Sequence, residues 1–292
     1  MKLGISLFPR ELGNDRVAIR DYAQAVEGAG YDHILSAEHV MGGHPDRVPA
    51  GETLHTFDRP YYEPFVLFGF IAGCTNNLEM VTSILILPQR QTGVVAKQAA
   101  QLDALTGGRT RLGVGIGRNW MEYEALNENF KNRGRRLEEQ IEVLRLLWTQ
   151  EIVTFKGRYH NLDRMGLNPT SVQKPIPIWL GTYTTVVENA IKRVGRIADG
   201  WFPQFRPDEQ LKEVLERVRG YAREAGRDPM SLGIEGGVQA DPSQSPDAWL
   251  KQAEAWKALG ASHLRIGIQG QFETMKQRYD AMLKVRQELS GV

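Results

Sequence analysis

One cysteine, Cys74, in 292 residues leaves nothing for an internal disulfide framework, and that scarcity suits a reducing cytoplasm, the expected location. An excess of one charge sign is also missing. Thirty-six Lys and Arg stand against 35 Asp and Glu, a net charge of +1, so no broad field draws the chain to nucleic acid or an anionic membrane. No apolar run approaches the length of a membrane span. The run at residues 3–8 is too short for a secretory leader and gives way to Pro9, Arg10 and Glu11. What is plentiful is core material: 41% of residues are hydrophobic and six are Trp. A chain of this length is the usual size of one α/β barrel, so a single domain over residues 1–292 is expected. Cys74 follows Phe70 and Ile71 in an apolar helical pattern and reads as a small buried hydrophobe rather than a nucleophile.

The organising stretch is residues 78–120. Residues 80–87 form an apolar, β-branched run that ends at Pro88, as a strand buried on both faces should. Val95, Ala99, Leu102 and Leu105 then recur at helical spacing, and Gly107-Gly108 stops that helix. Residues 110–116 make the next strand, which runs out into Gly115, Gly117, Arg118, Asn119 and Trp120. Strand, crossover helix and strand form a βαβ unit, which closes right-handed.

The same unit repeats along the chain. Strands are expected at residues 3–8, 31–37, 177–180, 197–202, 232–238 and 263–268. Between them lie helices with the apolar faces Ile19/Tyr22/Ala23/Val26, Leu137/Ile141/Leu144/Trp148, Val186/Val187/Ala190/Ile191/Val194, Leu211/Val214/Leu215/Val218/Tyr221, Trp249/Ala253/Trp256/Leu259 and Phe272/Met275/Tyr279/Met282/Leu283. Asp15, Asp208 and Ser245 stand where N-caps belong, and Pro64 suits the first turn of a helix. Residues 153–162 read as a hairpin turning at Lys156-Gly157, an insertion near residues 151–175. Eight strands alternating with helices point to an α/β protein, a closed (β/α)8 TIM barrel with long loops at the C-terminal face of the strands. A doubly wound open sheet is the structural alternative.

In such a barrel the chemistry collects at the C-terminal strand ends. That selects Glu38 and His39 after the second strand, residues 83–87 on the third, residues 115–120 after the fourth, Gly181 and Thr182 after the fifth, and Trp201 on the sixth. A His at a strand end beside a long loop can exchange a proton with a bound substrate near neutral pH. A metal site from Glu38, His39, His44 and His55 lacks any recognised ligand spacing, so no metal is expected. Gly113-x-Gly115-x-Gly117 does not fit the dinucleotide fingerprint, because Arg118 or Trp120 takes the place of the third glycine. These glycines either admit a flat ring against the backbone or form small layers in the barrel core. Residues 181–184 lead into a helix, so they are either a phosphate seat or an ordinary turn with a Thr cap. Trp120 and Trp201 either wall a pocket or simply pack.

Together these blocks resemble the luciferase-like monooxygenase superfamily, barrel enzymes that use FMN or the deazaflavin coenzyme F420. The resemblance lies in Ser36-Ala37-Glu38-His39, residues 87–98, Leu105-Thr106-Gly107-Gly108-Arg109, residues 112–117, the helix from Arg133 and Asp199-Gly200-Trp201, and the F420 branch is the more similar. It implies an oxidoreductase that transfers a hydride between F420 and a small organic substrate. His39 would be the catalytic proton donor or acceptor, and Glu38 would lie near the ring. Ser83-Ile84 would back the ring, in relatives often through a non-proline cis peptide. Gly115, Gly117 and Arg118 would flank the cofactor, Gly181, Thr182 and Tyr183 would take its phosphate, and Trp120 and Trp201 would line the substrate pocket. An FMN-dependent monooxygenase served by a separate flavin reductase is the alternative within the fold, and a non-catalytic flavin-binding barrel the alternative outside enzymology. Relatives are often dimers, so a homodimer is expected. The chain departs from the branch at Arg118, where many relatives carry an acid or Trp, and at Gly181-Thr182, where paired glycines are usual.

Overall fold

A computed structural model describes residues 1–291. Its strands are β1 (Lys2–Ser6), β2 (His33–Ser36), β3 (Glu79–Thr82), β4 (Leu85–Ile86), β5 (Thr110–Gly115), β6 (Val153–Lys156), β7 (Asn161–Met165), β8 (Ile178–Gly181), β9 (Gly200–Phe202), β10 (Gly233–Ala240) and β11 (His263–Ile268). The main sheet runs β3-β2-β1-β11-β10-β9-β8-β5-β4, and β3 also pairs with β5. Met80 lies opposite Thr110 in that closing pair, and Lys2 opposite His263 joins the two ends of the chain. Since β3 and β4 are two halves of one stave, the result is a closed eight-stranded parallel cylinder. The expected barrel is present.

The helices form where the apolar spacing and caps required. Asp15 accepts from the Val17 N–H at 2.8 Å to open the helix Arg16–Gly28, and Asp208 accepts from Leu211 N–H at 3.1 Å to open Glu209–Glu224. On Arg133–Thr149 the residues Leu137, Ile141, Leu144 and Trp148 are buried, each contributing roughly 1.5–3 kcal/mol of burial. Trp148 Nε1 also donates to the Ala96 carbonyl at 3.0 Å, tying this helix to its neighbour Thr92–Thr106. Gly107 takes φ +67° to end that neighbour, a conformation in which a side chain would be strained.

Several expectations are corrected. The third strand is not continuous: it breaks at Ser83-Ile84, whose peptide bond is cis. Leu105 is exposed, because the buried stripe of its helix runs through Val95, Ala96, Ala99, Ala100 and Leu102 and the turn carries Leu105 off it. Leu283 is exposed for the same angular reason, and Val187 because it stands at the cap position before the helix Glu188–Ile197. Cys74 lies two residues past the helix Pro64–Ala72 and is half-buried, with Phe70 exposed beside it. The helix expected to be capped by Ser245 starts at Asp247 with Pro246 at the cap position. The hairpin turns over a wider loop than expected, closed by Gly157 N–H donating to the His160 carbonyl at 2.8 Å, and its second strand reaches Met165.

The inside of the cylinder decides the rest. Inward side chains alternate along each strand, and near the N-terminal ends they are polar: His33, Arg111, Glu235 and His263 with the neighbouring Trp179. His33 Nε2 lies 3.0 Å from Glu235 Oε1, and Arg111 Nη1 donates to Glu235 Oε2 at 2.6 Å. Arg111 also pairs with Glu79 at 3.0 Å, and its guanidinium lies 4.3 Å from the Trp179 ring centroid. Burial alone would raise the Glu235 carboxyl, but His33 and Arg111 overcome it and hold it at about 2. The next layer up is apolar, made of Leu35, Val81 and Phe202, with Ile84 packed on it.

Candidate active site at the barrel mouth

His39 follows β2 by three residues. Its Nδ1 lies 2.8 Å from Glu122 Oε2, and its side chain keeps 24% of its surface exposed while that of Glu122 keeps 1%. Glu122 Oε1 accepts from the Val40 and Met41 N–H groups at 2.9 and 3.3 Å. A carboxylate fixed in this way orients the imidazole with Nδ1–H toward Glu122, which leaves Nε2 as the nitrogen able to meet a substrate atom. Glu122 lies on the short helix Trp120–Ala125. The acidic, aromatic composition of that segment gave no spacing that pairs it with a residue 83 positions earlier.

Two further rings complete this corner. His55 stacks on His39 with centroids 4.3 Å apart and planes 23° apart, and Tyr61 meets both rings edge-on at 4.8 and 4.9 Å. Burial foremost, then the nearby His39, push the His55 imidazolium below its usual range. Its loop is pinned to the mouth: Asn119 Nδ2 donates to the His55 carbonyl at 3.3 Å, Arg118 donates to the Thr53 carbonyl, and Gly43 bridges to Thr56.

Glu38 is buried. One oxygen accepts from Ile86 N–H at 2.7 Å and the other from Arg90, whose guanidinium also reaches Glu63 at 2.8 Å. Both oxygens are committed to holding the turn after β4. Ser83 and Ile84 are half-buried at the strand break, as befits a mouth position.

The glycines are explained by packing rather than by open space. A Cβ on Gly115 would come within 2.7 Å of Ile84 Cδ1, and one on Gly181 within 2.8 Å of Ile84 Cγ2. At Gly113 it would lie 2.0 Å from the Thr82 carbonyl, and at Gly117, where φ is +58°, 2.8 Å from Ile86. Of the two readings left open, small layers in the core account for these contacts. One effect is to seat the Ile84 side chain across the ends of β5 and β8.

Gly181, Thr182 and Tyr183 do not stand at a helix start. The following helix begins only at Glu188, so its first-turn N–H groups belong to residues beyond a six-residue loop. Thr182 N–H donates to the Phe202 carbonyl at 3.3 Å, and its hydroxyl accepts from Trp201 Nε1 at 2.8 Å. Trp201 is fully buried and packs rather than walls a pocket. Arg118 is exposed, with its guanidinium 5.2 Å from the Tyr183 ring centroid, and Arg47 lies at the same distance over half-buried Trp120. His39 thus pairs with Glu122, Ile84 packs over Gly115 and Gly181, Arg118 lies over Tyr183, and Glu38 and Trp201 are buried. Among the described residues, no three His, Cys, Asp or Glu side chains gather as a metal site, and no helix is long and apolar enough to cross a membrane.

A family model described as luciferase-like monooxygenase matches residues 1–290. An uncharacterized protein of Mycobacterium tuberculosis is 32% identical over 211 residues, 70% of this chain and 71% of the relative. An F420-dependent glucose-6-phosphate dehydrogenase of Segniliparus rotundus is 29% identical over 259 residues, 83% of this chain and 70% of the relative. The solved structure of an F420-dependent secondary alcohol dehydrogenase, holding an F420-acetone adduct, superposes with a TM-score of 0.77 at 18% identity, over 99% of this chain and 98% of that one. At that identity the superposition speaks for the fold alone.

Proposed function

The chain belongs to the luciferase-like monooxygenase family, and from that premise we propose that it is an oxidoreductase transferring a hydride between coenzyme F420 and a small organic substrate. The observation that carries the reading is His39, half-open past the end of β2 and held at Nδ1 by buried Glu122. The similarity to a curated F420-dependent relative supports the choice of cofactor.

The residues at the mouth suit a flat ring at one end and an anionic tail at the other. Ile84 would back the ring, while Arg118 and the loop carrying Thr182 and Tyr183 would meet the phosphate through side chains rather than through a helix start. F420, when bound, supplies the hydride chemistry. The chain's own share is to orient the two reactants, keep water out, and move one proton. His39 Nε2 gives that proton to, or takes it from, the substrate heteroatom while Glu122 stabilises the imidazolium. Proton transfer of this kind contributes about 10²–10⁴-fold.

The test is titration of the purified protein with F420 and with FMN, followed by fluorescence. Saturable F420 binding with weak FMN binding supports the reading. Tight FMN binding without an F420 response would instead favour a monooxygenase fed by a separate flavin reductase. The single cysteine suits a cytoplasmic setting. A homodimer is also proposed: the helix Pro64–Ala72 is apolar nearly all round, yet leaves Val66 73% and Phe70 42% exposed one turn apart. Light scattering of the parent and of Val66→Glu checks it, with dissociation expected in the variant.

A further inference from the structure

We infer that His55 is a positioning residue for His39: stacked face to face on it, His55 fixes the plane of the His39 ring and does so as an uncharged ring. The inference rests on the reading of His39 as the proton-handling group of the mouth, but its observations are independent of any cofactor.

The geometry is that of two imidazoles with centroids 4.3 Å apart and planes 23° apart, with Tyr61 set edge-on to both. Two imidazolium ions cannot share that contact without strong repulsion, since like charges at this distance disfavour double protonation. The surroundings of the two rings differ. His39 has the Glu122 carboxylate at 2.8 Å on Nδ1. His55 is only 8% exposed, and its Nδ1 is buried without a hydrogen-bond partner. An imidazolium there would bury an N–H with nothing to receive it.

The other charged groups facing His55 are Arg59, which opposes its protonation, and Asp58 and Glu122, which favour it. Burial and the nearby His39 prevail, so the net displacement is downward. A neutral stacked ring can then steady His39 without adding a charge beside it. The Asn119 bond to the His55 carbonyl and the Gly43–Thr56 bridge hold the loop so that the stack persists.

The experiment is nuclear magnetic resonance of the imidazoles in the ligand-free full chain. In the parent protein the His55 resonance should titrate below the ordinary imidazole range. In His39→Gln its midpoint should move up, because the His39 ring opposes protonation of His55, and in Glu122→Gln it should move down, because Glu122 favours it. The ¹⁵N shifts of His39 should show a protonated Nδ1 at neutral pH. In His55→Ala they should move toward a tautomeric average, and in His55→Phe, which restores a flat ring, they should return to the parent pattern. Far-UV circular dichroism identifies any variant that fails to fold, and the titration of the parent protein stands without variants.

A His55 midpoint in the ordinary range that moves in neither His39→Gln nor Glu122→Gln overturns the claim that His55 stays uncharged. A His39 tautomer pattern unchanged in His55→Ala overturns the positioning claim. A failure to bind F420 would refute the proposed function and leave these resonances untouched, so the two failures are distinguishable.

Discussion

Replacing Glu235 with Gln should destabilise the barrel strongly near neutral pH, and the penalty should shrink in acid. Glu235 is buried inside the cylinder, with His33 at 3.0 Å on one oxygen and Arg111 at 2.6 Å on the other. A carboxyl that ionises at about 2 in the folded chain rather than at 4.5 contributes about 3 kcal/mol of stability. That contribution is present in full above about 4.5 and is lost as the pH falls toward 2, because the unfolded chain takes up the proton first. Removing one partner of a buried pair costs about 3–5 kcal/mol, since Arg111 is left buried with only half-exposed Glu79 opposite it. His263, held down to about 3 by burial first and then by Arg111 and His33, adds an acid loss of its own, and because Glu235 opposes that depression the loss should be at least as large in the variant. Its unfolded form binds a proton near the ordinary 6.5, whereas the folded form resists until about 3. Urea unfolding of the parent and of Glu235→Gln, from about pH 7 downward, measures both effects. A gap under about 1 kcal/mol at neutral pH, or a gap that stays constant as the solution is acidified through the carboxylate range, would refute the reasoning.

Other perturbations test other parts of the account. Gly115→Ala places a methyl 2.7 Å from Ile84 Cδ1 and should cost about 1–3 kcal/mol by overpacking, read as a lower thermal midpoint. Leu144→Ala, on the fully buried stripe of its helix, should cost about 2–5 kcal/mol in the same assay. His39→Gln should leave F420 affinity within a few-fold while turnover falls by about 10²-fold or more. Full turnover in that variant would remove His39 from the chemistry. Glu122→Gln should lower turnover while leaving the fold intact by circular dichroism, because it weakens the partner of His39 and not the barrel.

The alternation of strand and helix was legible because each helix carries its apolar stripe at regular spacing and each strand is a short apolar run. The barrel rule then located His39. What escaped was chemistry created by closure. Arg111 and Glu235 are 124 positions apart and each reads alone as one charge in an apolar strand. Such isolated charges were themselves the available signal, since a charge inside a buried strand needs a partner. Glu122 and His55 lie in segments without periodicity, so only the folded loops bring them to His39. The pairing of Glu38 with Arg90, 52 positions later, is likewise made only by the fold.

The central claim is that this mouth holds a deazaflavin ring against Ile84 and His39. Fluorescence titration of the purified chain with F420, with FMN as the competitor, tests it most directly. The account predicts saturable quenching of F420 that FMN does not readily reverse. Tight FMN binding with no F420 response would contradict it.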